Sequence, residues 1–152
     1  MAKNNGQKDA PLVLTDLTQL PGRDIDVRIE LDGGQAIVIP CRALTFKRYQ
    51  EIGRMVTDPM PPVMAGPKGK IYDFQDPVYQ SKRDEANERR RYLRLAEFVR
   101  AEMPGETLQE QADWLADHLE MGILMALARQ MDSTLSGGMA AIEARAATFQ
   151  PA

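Results

Sequence analysis

The chain has 152 residues, 43% hydrophobic and 27% charged, with a formal net charge of −3 and an isoelectric point of about 5.2. That composition excludes an intrinsically disordered chain and favours one domain, or two small lobes. The acidic excess argues against a general affinity for nucleic acid or an anionic membrane, since both need surplus Lys and Arg. Cys41 is the one cysteine, so no intramolecular disulfide forms. No apolar run resembles a signal peptide or approaches the roughly 20 residues that span a bilayer, so the expectation is a soluble, cytosolic protein.

Residues 1–23 read as a flexible polar arm. Within it, Leu12-Val13-Leu14 is an edge strand or a docking segment, and Leu20-Pro21-Gly22 is a turn. From Asp24 to Leu31 the pattern alternates, with Ile25, Val27, Ile29 and Leu31 on one side and Asp24, Asp26, Arg28 and Glu30 on the other. Period two means a half-buried strand. Asp32-Gly33-Gly34 supplies a tight hairpin turn, and Gln35–Ile39 returns. Pro40 stops that strand because it has no N–H for a ladder. Arg42–Val56 reads as a helix whose stripe is Leu44 or Thr45, Tyr49, Ile52 and Val56, widened by Phe46 and Met55. Hairpin and helix make a unit at 24–57.

Residues 58–80 (DPMPPVMAGPKGKIYDFQDPVYQ) form a proline-rich connector. Pro59, Pro61, Pro62 and Pro67 stiffen its first half towards extended, polyproline-like backbone. Tyr72, Phe74 and Tyr79 make its second half aromatic, which suggests that it docks on something. A helical lobe follows at 81–132. Its first helix, Tyr79–Glu102, is charged all round at first and apolar later, with Glu85 and Arg89 spaced for an ion pair. Met103-Pro104-Gly105 breaks it. Thr107 then caps the next helix, with Glu110 completing a capping box. Met121–Met131 is apolar nearly all round, so it sits in the core or faces a partner. Ser133–Gly138 closes that run, and 133–152 is a weakly ordered tail with a short alanine-rich helix over Met139–Phe149. The fold class predicted is therefore α+β.

No catalytic constellation is evident. Gly66-Pro67-Lys68-Gly69-Lys70 has two residues between its glycines where a phosphate loop needs four, and Ile71 follows the lysine; a solvated turn is the better reading. Cys41 and His118 are single members of their types, with no spacing that makes a nucleophile–base pair. No Cys/His cluster suits zinc. The acidic row Glu106, Glu110, Asp113, Asp117 and Glu120 lacks an oxygen-rich loop and reads as a solvated face. Arg89-Arg90-Arg91, with Arg83 and Arg94, could meet phosphates; pairing with Glu85, Glu88 and the acidic next helix is favoured. No catalytic residue, metal or cofactor is assigned. Nine methionines are the more informative excess, because methionine fills core gaps and lines adaptable binding surfaces.

The stretches IPCRALTFKRYQEIGRMVTDPMPP, YDFQDPVYQ, RRRYLRLAEFV and GETLQEQADWLADHLEMGILMAL, in that order, resemble the tail assembly chaperones of long-tailed bacteriophages. The resemblance covers roughly residues 24–132. It implies a non-enzymatic factor of the infected host cytoplasm, absent from the mature virion. Such a factor binds the helical, aggregation-prone tape-measure protein and helps the tail-tube protein assemble. On that reading the partner-binding residues are Tyr72, Phe74, Tyr79, Trp114, Met121, Leu124 and Met125, self-association is open, and neither nucleic acid nor membrane is a partner. The alternative is a structural virion protein, such as a tail-completion or connector subunit joined through strand pairing.

Overall fold

The computed structural model describes residues 24–148 together with Val13, Thr15 and Asp16, and side chains as far as Leu135. The expected arm at 1–23, with its Leu12–Leu14 segment and Leu20–Gly22 turn, lies largely outside the described residues, as does the end of the tail beyond Thr148. Among the described residues the architecture is α+β: two antiparallel hairpins and four helices.

The first hairpin pairs β1 (Asp24–Glu30) with β2 (Ala36–Arg42), and Gly33 and Gly34 take positive φ in the connecting loop. Burial follows the sequence alternation, with Val27 and Ile29 buried and Asp24, Asp26, Arg28 and Glu30 exposed. At the open end, the Arg42 Nε donates to Asp24 Oδ1 at 2.8 Å and holds that carboxyl below its ordinary value. Pro40 does not stop β2, contrary to expectation; it pairs with Asp26, and the strand runs on to Arg42. The Pro40 carbonyl accepts from the Arg100 N–H at 2.8 Å, so its backbone polar atoms face away from β1. In an antiparallel ladder a residue's N and C=O point the same way, so the missing N–H removes no β1–β2 bond.

Helix α1 (Phe46–Arg54) is shorter than predicted, because Thr45 is its N-cap. Ile52 is fully buried, but Phe46 and Met55 are exposed rather than part of the inward stripe. At 3.6 residues per turn, Phe46 lies about 120° round the helix from Ile52.

The expected polyproline spacer contains a second hairpin, β3 (Val63–Gly66) with β4 (Gly69–Tyr72). Pro67 and Lys68 make the turn between paired glycines, with Gly69 at φ +119°. Proline at the second turn position and glycine at the fourth are what such a turn favours. This hairpin differs from the first in energy as well as position. The first places Val27, Ile29 and Cys41 in the core, each aliphatic burial being worth roughly 1.5–3 kcal/mol. The second leaves every residue but Gly66 exposed.

Helix α2 (Pro77–Phe98) is the centre of the molecule, packing on α1, β2, α3 (Leu108–His118) and α4 (Met121–Thr148), while β1 packs on α4. Asp76 caps α2 and Pro77 occupies its first turn, where a missing N–H costs nothing. Residues 80–85 are all exposed; Leu93, Leu95, Ala96 and Phe98 are buried. The helix ends at Phe98, before the predicted Met103–Gly105 break, because Val99 turns extended and bridges to Cys41. Gly105, at φ +119°, opens α3, where Thr107 and Glu110 form the predicted capping box. Helix α4 runs through Ser133–Gly138 to Thr148, so the expected close there is not made. One buried cluster joins Val27, Ile52, Phe98, Leu115, Leu127 and Met131 from the first hairpin and all four helices.

The arginines of α2 bind differently from expectation. Arg90 Nε and Nη2 donate to the Gly53 and Val56 carbonyls at 2.9 Å each and pair with Asp58, capping the end of α1. Arg94 donates to the Tyr49 carbonyl and lies 3.5 Å above the Tyr49 ring centroid. Arg91 reaches Asp132 at 2.7 Å, and Arg89 donates to Gln109 rather than pairing with Glu85. The cluster fastens α1, α3 and α4 to α2.

Candidate functional site

The seven residues singled out from sequence fall into three places. Tyr72, Phe74 and Tyr79 form an aromatic chain at the foot of the second hairpin. Ring centroids are 6.3 Å apart for Tyr72–Phe74 and 6.0 Å for Phe74–Tyr79, both at tilted geometries that aromatic quadrupoles favour. The loop is fixed by the Gln75 N–H donating to Asp73, by Asp76 accepting from the Tyr79 N–H, and by Gln80 donating to the Phe74 carbonyl. Tyr72 and Phe74 nevertheless remain 52% and 56% exposed, far more than an internal docking strap would be.

Leu124 and Met125 line an apolar groove of about 200 Å³ between α2 and α4, closed by Tyr92, Leu95 and Ala128 with Glu88 and Arg91 at its rim. Met121 lies one turn before Met125 and is 75% exposed. The groove follows from the sequence: α4 is apolar nearly all round, so after Leu127 and Met131 fill the core, other apolar side chains are left facing outward. Tyr79 and Tyr92 are 13 residues apart on α2, about 20 Å at 1.5 Å per residue. The aromatic chain and the groove are therefore separate patches.

Trp114 belongs to neither. It is half-buried and stacks on His118, with centroids 5.1 Å apart and planes 13° apart. His118 Nδ1 lies 3.1 Å from the Trp114 carbonyl, and since a carbonyl only accepts, that nitrogen carries the proton. The pair finishes the end of α3.

A further apolar hollow of about 320 Å³ between α1 and α4 is lined by Leu44, Phe46, Tyr49 and Leu135. Sequence reasoning missed it by placing Phe46 in the core stripe. The angle was the signal: Phe46 lies beside Tyr49 but about 120° round the helix from the buried Ile52, on the flank of the stripe.

Cys41 is 1% exposed, with its Sγ 3.5 Å from the Ile39 carbonyl. Burial, with the Asp26 carboxylate adding to it, pushes the thiol from 9.0 up to about 11. A neutral thiol is not a nucleophile at physiological pH. Its polar partner, like that of His118, is a backbone carbonyl. Residues 66–70 sit between two strands, not between a strand and a helix as a phosphate loop requires. Among the described residues, no three acidic, histidine or cysteine side chains gather as a metal site, and no helix is long and apolar enough to cross a membrane.

No protein-family model, no curated protein and no solved structure matches the chain.

Proposed function

We propose that this chain is a non-enzymatic assembly chaperone of the long-tailed bacteriophage type, acting in the host cytoplasm on the tape-measure protein while the tail tube assembles. One observation carries the reading: the α2–α4 groove of Leu124, Met125, Tyr92 and Leu95, extended by the exposed Met121. A groove of flexible, polarisable side chains accepts many apolar helix faces without demanding one sequence. The tape-measure protein is a long series of such faces, and weak contacts repeated along it sum by avidity. The ordered motifs of residues 24–132 support the same reading.

Co-expression with the tape-measure protein of the same genome tests it. The expected result is a client that stays soluble and co-purifies, and that loses the complex with Leu124→Asp and Met125→Asp. A client equally soluble without this chain, with no complex, overturns the reading. A second reading, a structural virion subunit, is favoured by the exposed β3–β4 hairpin, whose free edges suit strand pairing in a ring. Mass spectrometry of purified particles separates the two, because only a structural subunit is recovered in stoichiometric amount.

A further inference from the structure

The β3–β4 hairpin has the composition of a contact surface without a contact. Its outward pairs are Val63 with Tyr72 on one face and Met64 with Ile71 on the other. These four are 44–54% exposed. A two-stranded hairpin is marginal in water unless its apolar face is covered. Among the described residues nothing covers this one, and it holds two cations, Lys68 and Lys70, with no acidic residue from Val63 to Tyr72.

The opposite arrangement occurs where α3 meets α4. Asp117 and Glu120 are exposed there, and Met121, Leu124 and Met125 follow directly. Among the described residues, neither lysine and neither of these acids takes part in an ion pair. The two surfaces match in order: charge at one end, apolar side chains at the other.

We infer that the β3–β4 hairpin of one copy docks on the Met121–Met125 patch of a second copy, with Lys68 and Lys70 against Asp117 and Glu120. The occupant is a second copy because this chain carries both complementary halves, and among the described residues the two are not one of the packed element pairs. The contact joins unlike surfaces, so it is a head-to-tail contact and not a self-complementary one. It is read from the hairpin and its charges, and it covers the same Met121–Met125 patch that the proposed function gives to the client, so a second copy and a client exclude each other there.

Sedimentation velocity of the full chain from about 1 to 200 μM, the range of a weak protein contact, tests it. Mass above the monomer is expected at high concentration, falling as salt is raised. Lys68→Glu with Lys70→Glu, and separately Asp117→Lys with Glu120→Lys, should each weaken association at least tenfold. Mixing the two reversed chains should restore a complex that neither forms alone. As a second readout, Lys70→Cys on one chain and Glu120→Cys on another should form a mixed disulfide, while buried Cys41 stays inert. A monomer at every concentration overturns the inference. So does an oligomer that both charge reversals leave intact, or one in which Lys70→Cys chains link only to each other.

Discussion

Phe98 and Ile52 are each fully buried and meet where α1, α2 and the first hairpin share one core. Phe98→Ala should cost about 3–5 kcal/mol, the range for a buried aromatic cut to alanine. Denaturant unfolding reads this as a lower midpoint at an unchanged slope. Cys41 adds a pH dependence. Its ordinary value is 9.0 and its folded value about 11. Between them the unfolded chain loses the thiol proton while the folded chain keeps it. The stability linked to this group is therefore complete below pH 9 and is lost as pH rises towards 11. Cys41→Ala should remove that alkaline slope, checked by comparing denaturation midpoints at pH 8 and about pH 10.5. Sequence made Val27 and Ile29 legible, because alternation against charged neighbours has one physical solution. Cys41 was hidden behind Pro40. A proline reads as a strand stop until the Arg100 amide shows which way its carbonyl points.

Between residues and the whole lie the elements, and their ends are better specified than their middles. Thr107 and Glu110 announce α3 through chemistry local to four residues, which is why the capping box could be read directly. Asp76 caps α2 by the same chemistry, although that helix was expected to begin only at Tyr79. Thr107→Ala and Asp76→Ala should each cost about 1 kcal/mol, measured as paired shifts in thermal midpoint. The second hairpin was not legible. Its strands hold two apolar residues each, too few to display a period, and the surrounding prolines argued for extended backbone. Its turn was read as a solvated turn, which it is, but not as the connection between two strands. The real extent of α4 was missed for a related reason, since Ser136-Gly137-Gly138 is a breaker by propensity, a preference that tertiary context overrides.

At the scale of the molecule, α2 does what no single stretch of sequence advertised. The arginines of its charged half were expected to pair with Glu85, Glu88 and the acidic next helix. Instead, Arg90 and Arg94 reach back to the carbonyls of α1, and Arg91 reaches forward to α4. Those contacts cross 37, 45 and 41 positions of chain, beyond the reach of local pattern. The candidate binding residues were legible as types, exposed aromatics and methionines, but not as two patches about 20 Å apart along one helix. The separation makes them independently testable. Tyr72→Ala with Phe74→Ala removes exposed rings only, so it should leave stability within about 0.5 kcal/mol. Client capture on co-expression should nonetheless fall. Unchanged capture would confine the binding surface to the α2–α4 groove.

The grip of Arg90 on Val56 and Asp58 also has a bearing on how this chain is built. Asp58 is held beside Arg90, and Asp76 begins α2 fourteen residues earlier, so the gap between them is about 20 Å. Fully extended backbone covers that with roughly six or seven residues. The chain uses more than twice as many, and the surplus is the second hairpin. It is an appendage on a closed frame, not a strut within it. Lengthening such a loop is cheap, about 0.6 kcal/mol per doubling, so the frame can carry hairpins of different length and composition with little penalty. Replacing residues 59–75 by about eight glycines and serines should keep the thermal midpoint of the body within a few degrees while abolishing self-association. The body would then be a common chassis, and the hairpin its interchangeable part.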